Sequence, residues 1–325
     1  MSIDHAWKPL SPSMQEAVDR YNAWSDMHLQ EADARNRIVE NLYHYTDANG
    51  LKGIIESQAI WFTSYAHLND PGEIAYGVGI TTTLLSEIGR ANDPRLKLFC
   101  DMVIDLFTHD NLRTAFGFYI ASFSRNGDDL GQWRAYGDNG RGYALGFAPQ
   151  FFEVTEGLKA NPTDNYITLP VAYGEHEGRA LLMPAIARAL ELVGEVISSE
   201  AAAMQDVNVG MPFFDEMAKA LIASQLILYS MAIKHEAYRN EKEVRLALVE
   251  QISKLSPHIS TRTRDGEIVP FVKVAAPVRE QKSIADIVVG PCASLRSEDG
   301  VRALLSFVKK EIVRRSVIPY RASFN

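Results

Sequence analysis

Apolar and polar positions follow two periods along this chain, and the places where the period changes divide it into elements. Ser11 to about Ile38 reads as a helical arm of mixed charge, with Ser13 as a possible cap and Glu16 three residues on. Asn41 to Tyr45 is strand-like, Asp47 is a plausible N-cap, "GLKGIIES" supplies a short helix, and "AIWFTS" returns as a strand. "HLNDPGE" reads as a turn. Helical patterns follow from about Glu73 and again from Pro94 to Phe107, before the buried-strand pattern "FGFYIASFS", Phe116 to Ser124. A polar loop leads to "WRAYGDNGRGYALGF". There "GDNGRG", between two strand-like runs, is expected to be a hairpin turn ahead of the strand Tyr143 to Phe147.

From Gly178 to His235 the apolar spacing is three and four, which predicts a helical insertion. Strand character resumes in "EVRLALVE", "IVPFVKVA" and "IADIVVGP", and a final helix is expected over Ser297 to Arg314. Strands near the start, middle and end with helices inserted make an α+β plan with mainly antiparallel sheet. The expected organisation is an N-terminal helical arm, residues 1–40. One α+β domain, residues 41–325, follows, with its insertion at about 178–235.

Composition narrows the class. The 325 residues are 46% hydrophobic and 23% charged, with a net charge of -8. Such a chain has no global attraction to nucleic acid or to an anionic membrane. Two cysteines, Cys100 and Cys292, cannot build a disulfide framework or a four-thiolate zinc site, so a reducing, cytoplasmic home is expected. The first residues do not resemble a signal peptide, and no apolar run is long enough to span a membrane. There is no Walker motif, no GxGxxG opening a helix after a strand, no HExxH and no CxxC pair, so no metal is expected.

Three segments carry candidate chemistry. In "YHYT", strand alternation puts His44 and Thr46 on one face and Tyr43 and Tyr45 on the other. An imidazole and a hydroxyl on one face can hold a ribose or carboxamide, although a hydrogen-bonded histidine at a sheet edge fits as well. In "SFSRNGDDLGQWRAY", Ser122 and Ser124 share a face, Arg125 could meet a phosphate, and Trp133 and Tyr136 could stack on a flat ring or be core aromatics. In "YRNEKEVRLALVE", Glu241, Glu243 and Arg245 share one face at the start of a strand. They form either an exposed ion pair or a cleft-facing carboxylate able to stabilise developing positive charge.

Taken together, "LYHYT", "LKGIIES", "IWFTS", "LNDPGE", "SFS", "QWRAYGDNGRGYALGF", "YRNEKEVRL" and "IADIVVGP" resemble, in order over residues 41 to 295, the bacterial family called domain of unknown function 2971. A more distant resemblance is to the ADP-ribosyltransferases, which include DNA-modifying toxins, RNA 2′-phosphotransferase and the poly-ADP-ribose polymerases. That resemblance implies a split, mainly antiparallel sheet and NAD as substrate. It implies that His44 contacts the NAD ribose, with Tyr45 and Thr46 beside it. It places Glu243 on a ribose hydroxyl, with Glu241 completing a Glu-x-Glu pattern. Ser122, Ser124, Arg125, Trp133 and Tyr136 stand in the cofactor-binding region. The spacing of the aromatics, the mixture of an initial His with central serines, and the long insertion depart from the family pattern.

The implied function is NAD-dependent ADP-ribosyl transfer or NAD glycohydrolysis, in the manner of toxins or phage-defence effectors, for which an antitoxin would be a partner. The acceptor, whether protein, nucleic acid or water, is not specified. The alternatives are a non-catalytic nucleotide-binding or sensor module on the same fold, and a nucleic-acid-processing enzyme using His and Glu as acid and base. Under the catalytic reading Glu243→Gln is expected to abolish turnover with little loss of stability.

Overall fold

A computed structural model describes residues 9–68, 71–108, 116–152, 166–251, 259–264, 266–276, 278, 283–305 and 312–321. The chain divides into two compact units. One comprises Met1–Arg35, Asp70–Ala115 and Ala172–Glu236, the other Asn36–Asn69, Phe116–Val171 and Ala237–Asn325.

The first unit is helical. Helix α1 (Pro12–Arg35) buries Met14, Ala17, Val18 and Tyr21, a stripe at three- and four-residue spacing, against α6 (Gly174–Ser199) and α7 (Val207–Leu221). The cap is Ser11, whose Oγ accepts from the Met14 amide at 3.3 Å, two residues before the expected Ser13. Helices α3 (Pro71–Ala91), α4 (Pro94–Thr108) and α8 (Ile227–Met231) complete the unit, α8 joined to α7 by a π-turn at Ile222–Leu226. Gly77 of α3 lies so close to the Ser230 carbonyl that a Cβ would collide with it. Two short parallel strands, β6 (Ala172–Tyr173) and β7 (Ile233–Lys234), bracket the inserted helices.

The second unit is built on a mainly antiparallel sheet in the order β12-β11-β4-β1-β3-β2-β10-β9, with β8 on β3 and β5 on β8. Its strands are β1 (Leu42–Thr46), β2 (Ala59–Ser64), β3 (Phe116–Ser124), β4 (Tyr143–Phe147), β5 (Ile167–Pro170), β8 (Glu243–Gln251), β9 (Ile259–Arg264), β10 (Glu267–Ala275), β11 (Ile284–Val289) and β12 (Val313–Arg315). The architecture is therefore α+β, as the periodicity predicts. One face carries the main core: Leu42, Phe62, Phe123, Phe147, Leu246, Val272 and Ile287, covered by Leu51, Ile54 and Ile55 of α2 (Ala48–Ser57). Each of these three helix residues contributes about 1.5–3 kcal/mol by burial. The Asp47 carboxylate accepts from the Gly50 amide at 2.7 Å, the expected cap. The other face, over β1, β4 and β11, buries Tyr45, Trp133, Ala144 and Val288.

Two local expectations change. "LGQWRA" forms a helix, α5 (Leu130–Ala135), capped by Asp129, so the glycine-rich turn links a helix to β4 and is no hairpin. The final helix α9 covers Arg296–Leu304, whereas Val313–Arg315 pair in parallel with β11 as an edge strand. Asn69 and Asp70 of the expected turn lie outside the described residues.

Candidate functional site

The sheet opens at β3. Strand β8 pairs along the whole of one β3 edge, from Phe116↔Gln251 to Ser124↔Glu243. The other edge is shared: β1 meets it at Tyr43↔Ser124 and β2 at Thr63↔Ile120 and Ser64↔Tyr119. Position 122 falls between the two. Its carbonyl accepts a hydrogen bond from His44 Nδ1 at 2.9 Å, so a side chain serves where a neighbouring strand would.

That bond fixes the histidine. A carbonyl only accepts, so Nδ1 carries the proton and Nε2 presents its lone pair. The ring is half-buried and lies 5.7 Å from the Phe123 ring. Burial lowers its pKa below the ordinary histidine value. The Arg262 charge adds to this, and the bond to Ser122 opposes it. At neutral pH His44 is thus an uncharged acceptor. Thr46 shares its face, beside the first turn of α2, where a Cβ on Gly50 would meet the Thr46 hydroxyl.

Glu243 and Arg245 make the other notable pair. Arg245 Nε donates to Glu243 Oε1 at 2.8 Å and Nη2 to Oε2 at 3.0 Å. The pair is not an exposed sheet edge: Glu243 is 8% and Arg245 1% exposed, on a strand flanked by β3 and β5. Directly opposed residues of antiparallel strands point to the same side. The register therefore puts Glu243 with Ser124 and Tyr43, and Arg245 with Ser122, all on the face opposite to His44. Glu241 is not on the strand. It ends a 3-10 stretch, and Lys242, at φ 46°, turns the chain before β8 begins.

The remaining predicted residues separate. Ser124 is buried and its hydroxyl donates to the Glu241 carbonyl at 2.7 Å while accepting from the Asn126 amide at 3.1 Å, which ties off the strand end. Arg125 is exposed and ion-paired with Glu40. Trp133 is fully buried, 4.8 Å edge-on to Tyr45, with Nε1 donating to Asp128 at 2.7 Å. The Tyr45 hydroxyl donates to the Asn126 carbonyl at 2.8 Å and accepts from the Asp129 amide at 3.0 Å. Tyr136 packs half-buried against the same cluster. Tyr45 and Trp133 hold the loop to the sheet here, and the enclosed Trp133 presents no face on which a ligand ring could stack.

A group absent from the sequence reading lies on β2, β9 and β10. Trp61, Thr63, Phe271 and Arg262 share one face by register. Trp61 stacks on Phe271 at 4.5 Å, and the Arg262 guanidinium carbon sits 5.6 Å from the Trp61 centroid, with Nη2 donating to Thr63 Oγ1 at 3.0 Å. The signal was the alternation in "ISTRTR", which puts two arginines on one side of a strand. Among the described residues no group of three or more His, Cys, Asp or Glu side chains is disposed to hold a metal, and no helix is long and apolar enough to cross a membrane.

A family model described as "Protein of unknown function (DUF2971)" matches residues 132–246, from α5 through the start of β8. The match supports the resemblance to that family over this stretch, which holds "QWRAYGDNGRGYALGF" and "NEKEVRL". No curated protein and no solved structure matches the chain.

Proposed function

We propose that this protein binds a nucleotide of the NAD class where β1 and β2 part along β3, and that it acts on the nicotinamide–ribose bond as an ADP-ribosyltransferase-like enzyme or NAD glycohydrolase. The observation that carries the reading is His44. It stands on the first strand, anchored through Nδ1 at the opening, with Nε2 free to accept from a ribose hydroxyl. In the reaction the bonding pair leaves with the nicotinamide nitrogen. Positive charge builds on the ribose carbon, and an acceptor oxygen or nitrogen adds there and loses its proton to a base. A carboxylate near that carbon stabilises the cation, which is the part the resemblance gives to Glu243.

One observation favours a second reading, nucleotide binding without turnover. Both Glu243 oxygens are engaged by Arg245, on the face away from His44. The test is NAD incubated with the purified protein and cell lysate, reading nicotinamide release, label transfer and NAD affinity for wild type, His44→Ala and Glu243→Asp. Release that depends on both residues supports the enzyme; the labelled fraction then identifies protein or nucleic acid as acceptor, and release without transfer identifies water. His44-dependent binding without release supports the binding module. Absence of NAD binding overturns both.

A further inference from the structure

Arg262 is placed unlike the buried Arg245, the half-buried Arg315 and the exposed Arg314. Arg245 grips Glu243, Arg314 reaches Asp286 at 2.7 Å, and Arg315 reaches Glu298 at 2.9 Å. Arg262 is half-buried, yet its one hydrogen bond among the described residues goes to the neutral Thr63 hydroxyl. Its Nε is buried with no partner, and so is Nε1 of Trp61, the ring on which it lies. Both are donors. Burying a donor unpaired is costly, and more so for a charged group, so two in one cluster call for an explanation.

The surrounding charge sharpens the chemistry. Arg264, two residues on and on the same face, donates to the His67 carbonyl. Lys273 lies opposite Trp61 on that face, its ammonium 6.0 Å from the Phe271 ring. Burial and the Arg264 charge both lower the Arg262 pKa, and Asp47 opposes them. Its field in turn reaches His44. Three cations thus share a sheet face in a chain of net charge -8. A guanidinium held over an aromatic ring is a preorganised oxyanion receptor, because its fork matches the oxygens of phosphate and the ring limits its motion.

We propose that Arg262, seated on Trp61 and supported by Arg264 and Lys273, is the binding point for a phosphate group of a nucleotide held beside β2, on the sheet face that the Thr63↔Ile120 register sets opposite to His44. This rests on the nucleotide reading above and adds the part of the ligand it recognises, the phosphate. In the bound state the oxygens accept from Arg262, and side-chain adjustment brings the stranded donors of the cluster into reach.

The test is calorimetric titration of the full chain with NAD, ADP, inorganic pyrophosphate and nicotinamide riboside, for wild type, Arg262→Met, Arg264→Gln and His44→Ala. Wild type is expected to bind ADP and pyrophosphate. Arg262→Met is expected to weaken both at least tenfold, and Arg264→Gln severalfold. The unliganded Arg262→Met protein is expected to melt no lower than wild type, since the methionine stem keeps the contact with Trp61 and removes an unpaired cation. A purely structural arginine would instead lower the melting temperature and leave affinity unchanged, which overturns the proposal. So does failure of wild type to bind ADP or pyrophosphate. Arg262-dependent pyrophosphate binding with no response to NAD upholds the phosphate site and rejects the NAD reading. NAD binding that ignores Arg262 does the reverse.

Discussion

Glu243→Gln is the informative perturbation of the sheet unit, because it separates a carboxylate kept for chemistry from one kept for structure. In the native protein the carboxylate accepts two charge-assisted bonds from Arg245, at 2.8 and 3.0 Å, with both side chains buried. A glutamine retains one acceptor oxygen and turns an N–H towards the guanidinium. It removes one bond worth about 1.5–3 kcal/mol and takes from a buried cation the charge of this carboxylate. Breaking a buried pair from one side typically costs 3–5 kcal/mol, and the retained oxygen brings the expected loss to about 2–4 kcal/mol. For a unit of 150–250 residues that is roughly 4–16 °C in melting temperature.

The catalytic resemblance taken alone implies little stability loss for this variant. The buried pair reverses that expectation. The assay is thermal and urea unfolding of wild type, Glu243→Gln, Arg245→Met and the double variant. Both side chains have further partners, so the double-mutant cycle isolates the pair better than either single change. A strong coupling is expected. Additive effects, or a Glu243→Gln protein melting within about 2 °C of wild type, would refute the idea that these two oxygens hold Arg245.

Other expectations follow from single contacts. His44 has a folded pKa below its unfolded value, so its contribution is full above pH ~6.5 and is lost as the pH falls through that value and on to the folded pKa. Unfolding midpoints measured from pH 7.5 to 5 should fall, and less steeply in His44→Gln than in wild type. A matching slope in the variant would assign the pH dependence to other groups, His28 among them. Tyr45→Phe removes the hydroxyl that serves both the Asn126 carbonyl and the Asp129 amide. It should cost about 1–3 kcal/mol, read by urea denaturation. Asp128 accepts from Trp133 Nε1 at 2.7 Å, Ser316 Oγ at 2.6 Å and the Val317 amide at 2.9 Å. Asp128→Ala should therefore release the segment around Ser316 to limited proteolysis well before the sheet unfolds, and unchanged cleavage would show that the segment is held elsewhere.

Much of the fold could be read from side-chain period alone. "LYHYT", "AIWFTS" and "FGFYIASFS" became β1, β2 and β3 because apolar positions of each strand face a common core. The faces were legible too: His44 and Thr46 do oppose Tyr43 and Tyr45. What alternation could not supply was pairing partners. His44 and Glu243 are each on their expected strands, but the Tyr43↔Ser124↔Glu243 register, set by long-range contacts, puts them on opposite faces. "LGQ" reads as the end of a polar loop and the residues before "GDNGRG" as strand-like, while Asp129 capping the Gln132 amide decides for helix. Glu241 fell off the strand because Lys242 adopts positive φ, a conformation its side chain does not announce. Trp61 and Arg262 were overlooked because they come together only across two strand pairings.

The bond from His44 to the Ser122 carbonyl makes the imidazole a relay between the protein surface and the sheet interior. Hydrogen bonds in a chain polarise one another. A ligand that donates to Nε2 strengthens the Nδ1–H bond and draws electron density from the Ser122 carbonyl, next to the Ser122–Arg245 position of the β3–β8 ladder. Occupancy would then be visible as carbonyl and amide chemical-shift changes on β3 and β8, with no atom displaced. A protonated His44 would break that relay at its outer end, since a charged ring has no lone pair left to offer.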